Sequence, residues 1–289
     1  MLAVILALVS AIGYGASDFA AGLASRTASV IQVTLLACLA ATAAMLAVLP
    51  LAASHRPSGA ALAWGAAAGA SGTLGGIALY LGFRYAAFSV AAPLSAVGTA
   101  GFSVLAGLLW GERPSALALV GIALALPAIV GVSISAGGDK AAQETGGPSR
   151  PAAGVAAGLI AGACFALLLI GLDRAGSRSG LWPAAAAEVA ELAVAVAAAA
   201  VTRNLRLPRG RPGRLAVIAG VAGAAGTLFY FYAAHDGLLA VVAVLTSLYP
   251  ASTIVLARVV LAERLTGLRL AGLVLAGGCV ALIAVGGAG

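Results

Sequence analysis

The sequence predicts an all-α membrane protein: ten transmembrane helices built as two five-helix repeats of inverted topology. Three observations predict it. Of 289 residues, 62% are hydrophobic and only 9% charged, with a mean hydropathy of +1.10. A soluble domain carries about 25% charged residues, so this composition cannot make a water-facing surface and belongs in a bilayer. The apolar residues fall into ten continuous runs. A ten-residue stretch, Glu112 to Gly121, recurs without gaps 151 positions later as Glu263 to Gly272.

A spanning helix needs about 20 mostly apolar residues. The runs 2–23, 30–51, 60–82, 86–109, 115–135, 152–172, 181–201, 214–233, 237–260 and 266–286 meet that need. They are continuous rather than alternating, which favours helices over a barrel. The first run lacks a basic lead, and it continues past a weak cleavage-like stretch at Ala7–Ala11. It reads as a retained helix, not a signal peptide. The third run carries Gly69, Gly72 and Gly75 on one face, and the eighth carries their counterparts Gly220, Gly223 and Gly226. Such stripes let backbones approach closely and offer a smooth face for helices to slide on. Pro93, Pro127 and Pro250 each remove a backbone hydrogen bond within the fourth, fifth and ninth runs. In the fourth and ninth runs, which are counterparts, the freed carbonyls are candidates for binding an ammonium or a cation.

The polar link 136–151 divides the chain into a first repeat, 1–135, and a second, 152–289. Five is odd, so the second repeat enters the membrane from the opposite side, a plan typical of secondary transporters. We call the N-terminal face side A and the other face side B. Side A carries Arg56, Arg113, Arg174 and Arg178; the remaining 12 of the 16 Lys and Arg residues lie on side B. Positive charge marks the cytoplasmic face, which puts side B inside and both termini outside. Trp64, Trp110 and Trp182 read as interfacial anchors. The net charge of +7 is spread among the links, so nucleic acid is not expected as a partner. Cys38, Cys164 and Cys279 lie in three different apolar runs without metal spacing; no metal and no cofactor are expected.

A carboxylate at bilayer depth costs about 2.5–3.5 kcal/mol on insertion scales, so intramembrane acids are the best pointers to function. Glu188 and Glu191 share one face of the seventh run, and their counterparts are Ala37 and Ala40. Two carboxyls so close do not both ionise cheaply, which suits proton carriage; a structural hydrogen bond to a neighbouring helix is the plainer reading. Asp18 shares a face with Tyr14 and can hold a substrate amine or pair with Arg26. Tyr14, Tyr80, Tyr230 and Tyr249 offer ring faces and hydroxyls to a cationic substrate, although intramembrane aromatics more often pack. Glu112 and Glu263 stand before the fifth and tenth runs, with Ser115 and Thr266 as caps. They read as architectural.

The two five-helix repeats, the Gly-Tyr-Gly-Ala-Ser-Asp-Phe stretch at 13–19 and the repeated Glu-Arg-x-Ser/Thr-x-Leu-x-Leu-x-Gly stretch resemble the EamA family of the drug/metabolite transporter superfamily. The resemblance implies a plasma (inner) membrane exporter or exchanger of small metabolites, amino acid-like or amphiphilic, working by alternating access as a monomer or homodimer. It also implies a cavity lined by the first, third, fourth, sixth, eighth and ninth helices. The family's usual Trp in the first motif is Tyr14 here, and the family is drawn with cytoplasmic termini, opposite to the charge count. The expected function is export of a small metabolite, with proton coupling as one expected mechanism and uncoupled exchange as the alternative. An intramembrane enzyme is the lesser reading. Gly69-Ala70-Ser71-Gly72 has the form of a membrane serine protease motif, but the two histidines, His55 and His235, lie in predicted links.

Overall fold

The computed structural model describes residues 1–52, 57–85, 88–133, 151–261 and 266–286, with side chains for all of these but 51, 52, 80–85, 88–92 and 151. Glu263, His55 and the side chain of Tyr80 lie outside the described residues. The first repeat contains α1 (Leu2–Ser25), α2 (Val30–Ala52), α3 (Gly59–Tyr85), α4 (Phe88–Leu109) and α5 (Ala116–Ser133). The second contains α6 (Pro151–Arg174), α7 (Trp182–Val201), α8 (Gly210–Asp236), α9 (Leu239–Thr246), α10 (Tyr249–Leu261) and α11 (Gly267–Gly286). These are the ten expected spans, with α9 and α10 sharing the ninth.

That division departs from the single helix expected over 237–260. Pro250 has no N–H to give the Thr246 carbonyl. The chain tightens instead: Leu248 N donates to Leu245 O at 3.2 Å and Ala251 N to Leu248 O at 2.9 Å. The expected kink at Pro250 is thus a break one turn before it. Pro93 and Pro127 stay within α4 and α5, whose helices run on through them.

The extensive helix pairings cross from one repeat to the other. α1 packs on α8 and α3 on α6; α2 and α3 pack on α8 and α7 in turn, α4 on α6, and α5 on α11. In a bilayer apolar faces gain little from hiding, so close backbone approach must hold helices together. Glycines supply it. A Cβ on Gly13 would meet the backbone of Gly226 at 2.8 Å, one on Gly162 would meet Gly98 at 3.0 Å, and one on Gly131 would meet Gly272 at 3.0 Å. Hydroxyls add hydrogen bonds across the same seams. Ser10 Oγ donates to Gly226 O at 2.8 Å, Thr42 Oγ1 to Glu188 O at 3.0 Å and Ser71 Oγ to Cys164 O at 2.6 Å. Large apolar side chains such as Leu109, Val201, Val259 and Val274 point outward, where lipid replaces water.

Candidate functional site

A cavity of about 330 Å³ lies where the two repeats meet. That is the lower end of the size range of small-ligand pockets, roughly 300–1,000 Å³. Its walls come from the side-B half of α1 (Tyr14, Asp18), the side-B half of α2 (Thr34, Cys38), the later half of α3 (Thr73, Ile77) and mid-α8 (Gly223, Thr227). α7 adds Glu188 and Glu191, α6 adds Phe165, and the α9–α10 break adds Thr246, Ser247 and Tyr249. The lining reaches Ala21, Val30 and Ala198 near the side-B helix ends. Towards side A the same axis is filled by fully buried Leu172, Tyr230, Phe231 and Leu239. Among the described residues, the cavity's lining thus runs towards side B and is closed off towards side A.

The three intramembrane acids, far apart in sequence, share this one space. Glu188 is buried, Glu191 is half-buried and Asp18 is exposed on the wall. No Lys, Arg or His lines the cavity among the described residues. Glu188 is held from two sides: its backbone carbonyl accepts from Thr42, and its carboxyl lies within hydrogen-bonding reach of Thr227. Tyr14 donates its hydroxyl to Thr227 Oγ1 at 3.2 Å. The Thr227 proton can turn to the Gly223 carbonyl, 3.3 Å away, or to Glu188. A hydroxyl relay thus joins α1 through α8 to α7. Thr73 Oγ1 reaches Glu191 O at 3.4 Å, and a Cβ on Gly72 would stand 3.1 Å from Glu191 Oε1. The glycine at 72 leaves room for that carboxyl.

The expected residues divide as follows. Tyr14, Asp18, Glu188, Glu191 and Tyr249 line the cavity, as do Gly72, Gly220 and Gly223. Tyr230 does not: it is fully buried and donates to Leu169 O at 3.0 Å, on the side-A side of the cavity. Gly69 and Gly220 lie hard against the backbones of Ala187 and Ala37, Gly75 against Cys164 and Phe165, and Gly226 against the Tyr14 ring. Pro93 and Pro250 shape helices without lining the cavity. Sequence reasoning missed Thr34, Thr73, Thr99, Thr227, Thr246 and Ser247. A lone hydroxyl in an apolar helix gives little signal, because it can satisfy itself on the carbonyl one turn back, as Thr99 and Ser247 do at 2.8 and 2.7 Å.

Both repeats, residues 1–134 and 152–285, match the family model of the EamA-like transporter family. The chain belongs to that family. No curated protein matches it. One solved protein, described only as a crystal structure of a protein, shares 18% identity with this transporter. The likeness covers 98% of this chain and 96% of that one, with a TM-score of 0.75, and it shows the fold alone. The family is one of small-molecule transporters in membranes, and this member is an integral, multi-pass protein: among the described residues nine spans are long and apolar enough to cross, one of them α9 and α10 taken together over Leu239–Leu261, besides the shorter Pro93–Leu109.

Two other readings change on this transporter's geometry. Ser71, in the protease-like stretch, donates to the Cys164 carbonyl and so ties α3 to α6. His235 is engaged through Nδ1 with Phe231 O at 2.6 Å. Glu112 was expected to serve its own following helix. Ser115 does that alone, accepting from Ala118 N at 3.2 Å. The Glu112 carboxylate instead crosses to the other repeat, accepting from Leu239 N at 2.6 Å and Ala240 N at 2.9 Å.

Proposed function

We propose that this EamA-like protein is a secondary transporter, with export favoured, of a small amphiphilic amine, moved by alternating access and coupled to protons. The observation that supports the reading is the acid triad Asp18, Glu188 and Glu191 in a cavity whose described lining carries no cation. Uncompensated carboxyls at bilayer depth call for a positive partner. Either an ammonium or a proton supplies it, and the two compete for the same groups. Tyr14, Phe165 and Tyr249 give ring faces for the apolar body and for cation–π contact. The order of events follows: protons entering from one face displace the amine, and the empty, neutral cavity returns.

Proteoliposome flux of an amphiphilic amine tests this. With an imposed pH gradient, Glu188→Gln with Glu191→Gln should reduce uptake driven by the gradient by about tenfold or more, the scale of one lost charge-assisted hydrogen bond. Unchanged pH-driven flux in the double variant would sink proton coupling. Flux that survives while the gradient ceases to matter would favour an uncoupled exchanger.

A further inference from the structure

We infer that Glu112 is a gating residue: its carboxylate, bound to the first amides of α9, holds side A of the transporter shut while the cavity stands open to side B.

The latch is set by local backbone geometry. α4 ends with Gly111 in the left-handed region at φ 86°. Glu112 N bonds back to Gly107 O at 3.0 Å and Gly111 N to Leu108 O at 3.0 Å, the paired bonds of a Schellman end. Glu112 is thereby fixed just past α4, aimed away from α5. α9 begins at Leu239 after Leu238, which gives it no side-chain cap. Its first amides would be buried orphans, since Leu239 and Ala240 have no exposure to speak of. The Glu112 carboxylate takes both. A negative group at a helix start is further favoured by the helix dipole. Gly107 makes the space, because a Cβ there would stand on Glu112 Oε2 and 3.2 Å from Ala240 N.

What α9 connects makes this a gate rather than a plain cap. The helix is buried from Leu239 to Thr246 except at half-buried Val241, and it spans the distance from the side-A surface to the cavity. Its last residue, Thr246, lines the cavity and has a buried hydroxyl with no hydrogen-bond partner. Beyond Thr246 comes the break at Ser247–Leu248. α9 is therefore a short rod, pinned at side A by the other repeat and jointed at its inner end beside the substrate. Opening side A requires α4 and α9 to part, and the Glu112 bonds are what they must break. Glu112 touches no substrate; it positions α9.

This inference rests on the transporter reading, but its test needs neither substrate nor flux. In a variant with Cys38, Cys164 and Cys279 replaced, single cysteines are placed at buried Ala233 near side A and at Ala198 on the side-B wall. Labelling by an impermeant maleimide is then followed in nanodiscs, where both faces meet the reagent. Glu112→Ala should raise labelling at position 233 about fivefold, the scale of one lost helix cap, without raising it at 198. Gly107→Ala, which keeps the charge but displaces the carboxylate, should do the same. No rise at 233 overturns the inference. So does a rise at both positions, which reports general loosening.

Discussion

Tyr14, Thr227 and Glu188 come from three helices and form one relay, so a change at any of them should reach the acids. Thr227→Val keeps the shape of the side chain and removes the hydroxyl that both Tyr14 and Glu188 use. We expect it to raise the KM for amine transport by roughly tenfold, the loss of one hydrogen bond to a charged group, with the folded fraction in detergent unchanged. Tyr14→Phe should move KM in the same direction by less, because it removes only the outer member. A larger effect from Tyr14→Phe than from Thr227→Val would reverse the order of the relay. That the acids share one cavity was foreshadowed in the sequence, because a carboxyl inside an apolar run is costly enough to require either a partner or a function. Thr227 was not legible, since its role depends on α1 and α7 meeting α8, and nothing local to it reports that meeting. Tyr230 misled for the converse reason: an aromatic inside a span looks the same whether its hydroxyl faces a cavity or the Leu169 carbonyl.

At the level of elements, the glycine stripes explain why α3 and α8 sit where they do. Gly69 faces the Ala187 carbonyl and Gly220 the Ala37 carbonyl, both backbone atoms that cannot step aside. Gly220→Ala should therefore destabilise by about 1–3 kcal/mol, the usual range for overpacking, read as a lower melting temperature in detergent. Gly76→Ala is the control: a Cβ there meets nothing within 4 Å, so its melting should match the parent. The spacing of the stripes was readable in the sequence, but which helix each stripe meets was not. The ninth span shows the limit more sharply. Pro250 announced a distortion, but a kink and a break need the same residue, and the repeat offered no guide because Pro93 occupies a different register in α4.

Across the whole molecule, the principal seams join the repeats rather than helices within one. The segments 1–135 and 152–289 are units of sequence, and we expect neither to keep its fold alone. Expressed separately, each half should be degraded; expressed together, they should copurify. A first half that is monomeric and stable by itself would show that its internal contacts suffice. On the proposed alternating-access reading, the same seams set which helices travel together. α1, α2, α8 and α10 form one packed group, and α3, α4, α6 and α7 form its inverted twin. Rocking of α1–α5 as one body against α6–α11 would tear the α1–α8 and α3–α6 pairings; motion between the two mixed groups would keep them. The charge count and the inverted repeat were visible in composition and offset alone, because they depend only on order along the chain. The grouping of helices depends on which faces meet, and in an Ala- and Gly-rich sequence nearly every face is smooth enough to pack.

The Ser10 to Gly226 hydrogen bond also has a history in time. Its partners stand 216 residues apart, at opposite ends of synthesis. At about 5–20 residues per second, α1 spends roughly 10–40 s in the bilayer before α8 exists. Throughout that interval its glycine face at Gly13 and Gly15 and its Asp18 lack their eventual neighbours. The nascent first half is thus the most vulnerable form this protein takes, and quality control in the membrane meets it every time the chain is made.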